Sequence, residues 1–333
     1  MFDFVSFIPR AIAQSIPLLF GSTGEIITEK SGNLNLGIPG VMYVGGICGV
    51  IGSFLYEHSF EDPSQMNAAL GILIPLVCCL AGSLLMGLLY CFLTVTLRVN
   101  QNVTGLAMTT FGVGFGNFFG GSLIKLAGAD VPSISLSTTS SLFRTTLPFA
   151  GSFGVFGQMF LSFGFLVYVA IVIALVSSHV LTKTRIGLQL RAVGEDPATA
   201  DAAGFDITRC KYVATCLGCM IAGLGGLYIL YLFICTSTDL AIKKLYKMLP
   251  YVVTIVVLVI TSVRNKRENQ PPESLGLPYF REDRSHLGET KGNSLCLIRR
   301  SFPWGRCPWY GRGSEGLSHS SPRRRQSGRV GRR

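Results

Sequence analysis

Apolar and polar positions alternate along this chain on the scale of whole helices. Apolar runs near the ~20-residue length that carries a helix across a hydrocarbon layer lie at about Ile8–Thr28, Leu36–Tyr56, Ala68–Leu97, Met159–Leu181 and Tyr212–Ile234. Two shorter segments accompany them. One is glycine-rich, opens at Asn100, Gln101, Asn102 and Thr104, and ends near Gly121; the other spans about Met248–Val263. The pattern predicts an all-α, polytopic helical membrane protein with about seven membrane segments.

Polar residues between the runs set the sidedness. Glu57–Gln65 is acidic and lacks Lys and Arg, which places it outside by the positive-inside rule. Arg98, Lys183, Arg185 and the RNKR run Arg264–Arg267 mark cytoplasmic ends, and the N-terminus then falls outside. Ser122–Gln158, Ser/Thr/Gly-rich with Lys125 and Arg144 as its cations, reads as an external loop holding a short surface helix or hairpin. Lys243, Lys244 and Lys247 do not fit, since they fall at an external end.

Two polar stretches break the simple pattern. The first, EKSGNLNLG (Glu29–Gly37), is too irregular for a clean turn, and irregular backbone at membrane depth needs protein or a water-filled cavity around it. The second, Lys183–Cys210, is a polar island between two spans. Ile186, Leu190 and Val193 form a narrow helical stripe beside Arg185, Arg191 and Glu195, with Gly194 as a stop. Asp196 caps a second helix, with Pro197 in its first position, Ala198–Ala203 as its body and Gly204 as its terminator. Asp206 or Thr208 caps the next span. Two short helices tethered at both ends to membrane spans make a knob at the bilayer surface, either a docking element or a connecting loop.

Composition agrees with the class. Charged residues are 14% and apolar ones 49%, against the ~25% charged share of soluble domains. The net charge of +11 is concentrated in residues 285–333, which hold eleven Lys+Arg and two Asp+Glu, so residues 1–284 are nearly balanced. This basic tail has no periodicity and is expected to be disordered; its arginines beside Trp304, Trp309 and Tyr310 suit anionic membrane lipid, and no nucleic acid partner is expected. Cys48, Cys78, Cys79, Cys91, Cys216 and Cys219 lie inside apolar runs and read as small core residues, with no metal site expected. No signal peptide for cleavage is evident. His58, His179, His286 and His319 are scattered, and neither a zinc-protease motif, paired carboxylates nor a Ser–His arrangement occurs, so an enzyme is not expected. A phosphate-binding G-x-x-x-x-G-K-[ST] is also missing from the sequence.

Three blocks carry a family resemblance. Ile16–Gly46 (IPLLFGSTGEIITEKSGNLNLGIPGVMYVGG), Gly187–Gly204 (GLQLRAVGEDPATADAAG) and Leu249–Arg284 are similar to the permease subunits of bacterial ATP-binding cassette importers of the branched-chain amino acid, ribose and basic-membrane-protein type. The third block resembles the nucleoside branch. The resemblance implies a permease passing a nucleoside or simple sugar across the cytoplasmic membrane. It implies three partners: an ATPase subunit that binds the ATP, a second permease subunit and an external substrate-binding lipoprotein. No cofactor of its own is expected. The ATPase-coupling residues it points to are Gly187, Arg191, Ala192, Gly194, Glu195, Pro197 and Gly204. Pathway candidates are Glu25, Asn33, Asn35, Asn100, Asn102 and Thr104, with Glu25 equally readable as a helix-end carboxylate. Two features depart from the pattern: Pro39 stands at a position usually acidic, and a family segment is missing near 235–247. The alternative is therefore an internally deleted, transport-inactive remnant. On either reading, 1–284 is the membrane domain.

Overall fold

The computed structural model describes residues 4–59, 66–126, 137–144, 163–234, 253–257, 259–260 and 271–279. Among them the regular elements are helices: α1 (Phe4–Lys30), α2 (Ile38–Glu57), α3 (Ala68–Cys91, prolonged by a π-turn over Phe92–Thr96), α4 (Gln101–Leu126), α5 (Ser137–Arg144), α6 (Phe165–Lys183), α7 (Arg185–Glu195), α8 (Pro197–Ala202) and α9 (Ile207–Ile234). Residues 253–257 and 259–260, inside the seventh expected span, are also helical. Four helices among the described residues are both long and apolar enough to cross a membrane: α2, α3 with its π-turn, α6 and α9 up to Tyr231. α1 and α4 match them in length at 27 and 26 residues.

α9 is the hub and packs on α1, α2 and α3. Small residues let these backbones meet, as they do where lipid supplies no hydrophobic drive between helices. A Cβ on Gly24 would overlap the Gly218 carbonyl, and one on Gly226 would overlap the Met42 carbonyl. α2 is consequently a core helix, with 67% of its span buried, whereas only 17% of α6 is. The outer face of α6 (Ile171, Val172, Leu175, Val176) is bare aliphatic surface suited to lipid. α4 flanks α2, and a Cβ on Gly40 would stand 2.5 Å from the Met108 carbonyl.

Contacts place the ends of the helices on two faces. Lys30, Gly32 and Gly194 meet on one face, where Arg98, Asp201 and Lys211 also line a shared cavity. Its cations make this the cytoplasmic face. On the other face, Glu57 Oε1 accepts from Thr139 N–H at 2.7 Å, and Phe143 stacks on Tyr231 with ring centroids 4.5 Å apart. The expected short external helix is therefore α5, and its Phe143 is only 4% exposed.

Several expectations change. The fourth segment runs to Leu126, a full-length helix rather than a short one. In α7 the buried face is Gly187, Leu190, Val193 and Gly194, while Ile186 is 69% exposed. The stripe is rotated because α7 lies against the end of α6, where only glycine fits. Gly194 does not stop α7, which continues to Glu195. The fifth helix begins at Phe165 among the described residues, with its expected start at Met159 outside them. The 235–247 connection and the 285–333 tail also lie outside the described residues.

Candidate functional site

The island folds into an elbow of two capped helices. Thr184 ends α6 and starts α7: its N–H donates to Val180 O at 3.3 Å, and its Oγ1 accepts from Gly187 N–H at 3.2 Å. A Cβ on Gly187 would overlap the Val180 carbonyl and stand 2.7 Å from Leu181 Cα, so glycine permits the sharp turn. Asp196 Oδ1 accepts from Ala198 N–H at 3.1 Å and Thr199 N–H at 3.2 Å, and Oδ2 accepts from Thr199 Oγ1 at 2.7 Å. Pro197 occupies the first turn of α8. Gly204 leaves α8 with φ +89°, a conformation that costs a side-chain-bearing residue. Asp206 then accepts from Arg209 N–H at 3.1 Å and opens α9. Leu190 packs with Leu181 and Ala214, and Val193 with Ala200 and Ile207, which fixes both elbow helices on the bundle.

A C-terminal strap, residues 271–279, holds the elbow from the other side. Ser274 N–H donates to Gly194 O at 3.2 Å, and Ser274 Oγ donates to Glu195 O at 2.8 Å. Glu273 N–H donates to Glu195 Oε2 at 3.2 Å, and Tyr279 OH donates to Asp201 Oδ2 at 3.1 Å. Gly276 N–H reaches Gly32 O at 3.2 Å. Gly32 itself, at φ +84°, lies against Gly194, where a Cβ would stand 2.5 Å from the Lys30 carbonyl. Elbow, strap and the α1–α2 turn thus share main-chain bonds and have little room to slide.

That turn leads into a buried polar cluster. Asn33 is fully buried; its Nδ2 donates to Thr215 Oγ1 at 3.0 Å, and its Oδ1 has no hydrogen-bond partner. Asn35 N–H donates to Glu25 Oε1 at 3.2 Å, and Asn35 Oδ1 accepts from Gly37 N–H at 2.9 Å. Glu25 Oε2 is buried without a partner. Tyr90 OH donates to Leu34 O at 2.6 Å, and Gln101 Oε1 accepts from Leu34 N–H at 2.7 Å. The irregular backbone of the turn is thereby satisfied by protein, as its depth demands.

The structure gathers Glu25, Asn33 and Asn35 into this cluster. Asn100 is separate: its Oδ1 caps α4 by accepting from Asn102 N–H at 3.0 Å and Val103 N–H at 3.3 Å. Asn102 is exposed, and Thr104 donates back to Asn100 O at 2.9 Å. At the elbow Gly187 and Gly194 are buried, Glu195 and Gly204 are exposed, and Arg191 and Ala192 are half-buried. Arg191 Nε is buried and has no hydrogen-bond partner. Tyr90 and Thr215 are polar residues that sequence reasoning passes over, each a single polar group inside an apolar run, while Gln101 is read there only as part of the polar opening of α4. The strap lies within the third family block, Leu249–Arg284.

The family model for the permease component of branched-chain amino acid transport systems matches residues 7–262. The chain is similar to the guanosine ABC transporter permease NupQ of Bacillus subtilis, 26% identical over 220 residues, which are 66% of this chain and 65% of that one. It is similar also to the nucleoside ABC transporter permease NupC of Lactococcus lactis, 27% identical over 223 residues, again 66% and 65% of the two chains. The match thus spans slightly less than two thirds of these relatives' length. No solved structure matches the chain to comparable significance.

Proposed function

The chain belongs to the family of branched-chain amino acid transport system permease components, a multi-pass membrane family whose role is transport and not catalysis, and on that premise we propose that it is the membrane subunit of an ATP-binding cassette importer for nucleosides. A separate ATPase subunit binds the ATP and grips the elbow, a second permease subunit completes the pathway, and an external lipoprotein delivers substrate. Simple sugars are the second substrate class.

The observation that carries this reading is the elbow's construction. It is fixed to the bundle on its buried face yet leaves Ile186 69% and Leu188 70% exposed, with Arg185 exposed beside them. Two aliphatic side chains and a cation on a capped, strapped helix suit a groove on a soluble partner. Only contacts that differ between two ATPase states can shift the bundle between its forms, and a rigid elbow passes that difference on. Gly194 and Gly32 connect it to the turn that carries Asn33 and Asn35, so a push on α7 reaches the buried polar cluster directly. A second permease subunit is favoured by α4, which leaves Asn102, Thr110 and Asn117 exposed among Val103, Leu106 and Phe111. Polar groups on a spanning helix call for protein or water against them.

The test replaces Arg191–Gly194 with a neutral linker of equal length in the complex with its ATPase. Uptake of labelled guanosine is expected to disappear while the protein still reaches the membrane; unchanged uptake rejects the docking role. Competition by uridine against ribose separates nucleoside from sugar. No uptake by the unaltered chain with all partners present would favour the inactive remnant, a reading that no described feature supports on its own.

A further inference from the structure

Beneath the elbow lies a cavity of about 450 Å³, within the range of small-molecule sites. Its walls come from three parts of the chain: the ends of α3, α4 and α9, the elbow residues Asp201, Gly204 and Phe205, and Pro278 and Tyr279 of the strap. The pathway candidates described above do not line it. Lys211, one turn inside α9, is part of its lining and is only 5% exposed. Among the described residues no carboxylate lies within ion-pair distance of that ammonium.

A buried charge is normally paired, because removing it from water without a partner is costly. The carboxylates on the cavity wall do not fill the role. Asp201 accepts from Tyr279 OH at 3.1 Å, and Asp206 pairs with Arg209 Nε at 2.9 Å while capping α9. Gln101, also lining the cavity and 3% exposed, spends its carbonyl oxygen on Leu34 N–H, which leaves its amide N–H groups as donors. The first turn of the 28-residue α9 adds main-chain N–H groups and the positive end of its dipole. Arg98 lines the cavity as well, carried there by a left-handed backbone at φ 57°. The buried part of the cavity, where Lys211 and Gln101 lie, therefore offers donors and positive charge.

We propose that this cavity binds a phosphate group, held by Lys211 with Gln101 and the α9 N-terminus, supplied either by a soluble cytoplasmic phosphate compound or by an anionic lipid headgroup. Because the walls belong to bundle, elbow and strap together, an occupant ties the elbow to the helices above it. If the elbow is the coupling element proposed above, occupancy resists its displacement and regulates uptake. The binding itself does not depend on that reading.

The experiment uses the full chain in nanodiscs and reads thermal stability, so that it succeeds or fails independently of transport. One arm titrates inorganic phosphate and guanosine monophosphate into phosphatidylcholine discs. The other compares phosphatidylcholine with phosphatidylglycerol discs without added phosphate. Stabilisation in the first arm identifies a soluble occupant, and stabilisation confined to the second identifies the headgroup. In either case Lys211→Met is expected to weaken the response at least about tenfold, the value of one hydrogen bond to a charged group. Lys183→Gln, which removes an exposed cation outside the cavity, should leave it intact. Should Lys211→Met fail to fold, Gln101→Glu keeps an acceptor for Leu34 N–H while placing a negative charge in the cavity, and must likewise abolish the response. No stabilisation in either arm, or a response in Lys211→Met or Gln101→Glu equal to that of the unaltered chain, overturns the proposal.

Discussion

At the cytoplasmic end of the bundle, elbow, strap and α1–α2 turn are joined by main-chain bonds and glycine contacts: Ser274 N–H to Gly194 O, Gly276 N–H to Gly32 O, and Gly194 against Lys30. At the outer end, α5 is held by side chains: Glu57 on Thr139 N–H, and Phe143 between Tyr231 and Phe165. Main-chain joints at glycine leave little rotamer freedom, so the inner end can move as a body without losing its shape. A closure made of one carboxylate and an aromatic stack can be undone residue by residue. The difference suits the importer proposed above, driven from the cytoplasmic face and loaded from the outer one.

The largest effect expected from one side chain lies at the outer end. Phe143→Ala empties a site that is 4% exposed, and such truncations cost about 3–5 kcal/mol. Hydrogen exchange should quicken over 137–144 while amides of 185–202 keep their protection. If both regions lose protection together, the two ends are not independent and the comparison fails. Next comes Asp196→Ala, which removes the cap of α8 and should cost about 1 kcal/mol. Here the order reverses: exchange should quicken at Ala198 and Thr199 and uptake should fall, while α5 is untouched.

How far the sequence could be read follows the same division. The Asp196–Pro197 start and the Gly204 exit are local, set within three residues, and were legible, and the equally local α9 cap was narrowed to Asp206 or Thr208. The four spans long and apolar enough to cross a membrane were legible because length and apolarity are properties of a single segment. Gly194 was misread as a stop, because the Lys30 carbonyl that requires glycine there comes from another helix. Of the α7 stripe, Leu190 and Val193 are on the buried face, and Ile186 is off it for a related reason. Periodicity gives the width of a buried face, whereas the neighbouring α6 decides its rotation, and it chose Gly187 over Ile186. EKSGNLNLG showed its irregularity, and Asn33 and Asn35 could be named. Thr215, which pairs with Asn33, and Tyr90, which pairs with the Leu34 carbonyl between them, could not, because a lone polar residue in an apolar run shows nothing of what it will face.

The smallest effect tests whether the inner joint is truly made by main chain. Ser274→Ala deletes the hydroxyl that donates to Glu195 O at 2.8 Å but leaves the Ser274 N–H on Gly194 O and the Glu273 N–H on Glu195 Oε2. A partly exposed neutral hydrogen bond of this kind contributes about 0.5 kcal/mol, so melting should shift barely and uptake should stay near the unaltered level. If the hydroxyl is instead what holds strap to elbow, the variant will free both: exchange would quicken over 271–276 and 191–195 together, and uptake would drop as it does for Asp196→Ala. In that outcome the inner end would depend on a side chain just as the outer end does on Phe143, and the mechanical contrast between the two faces would disappear.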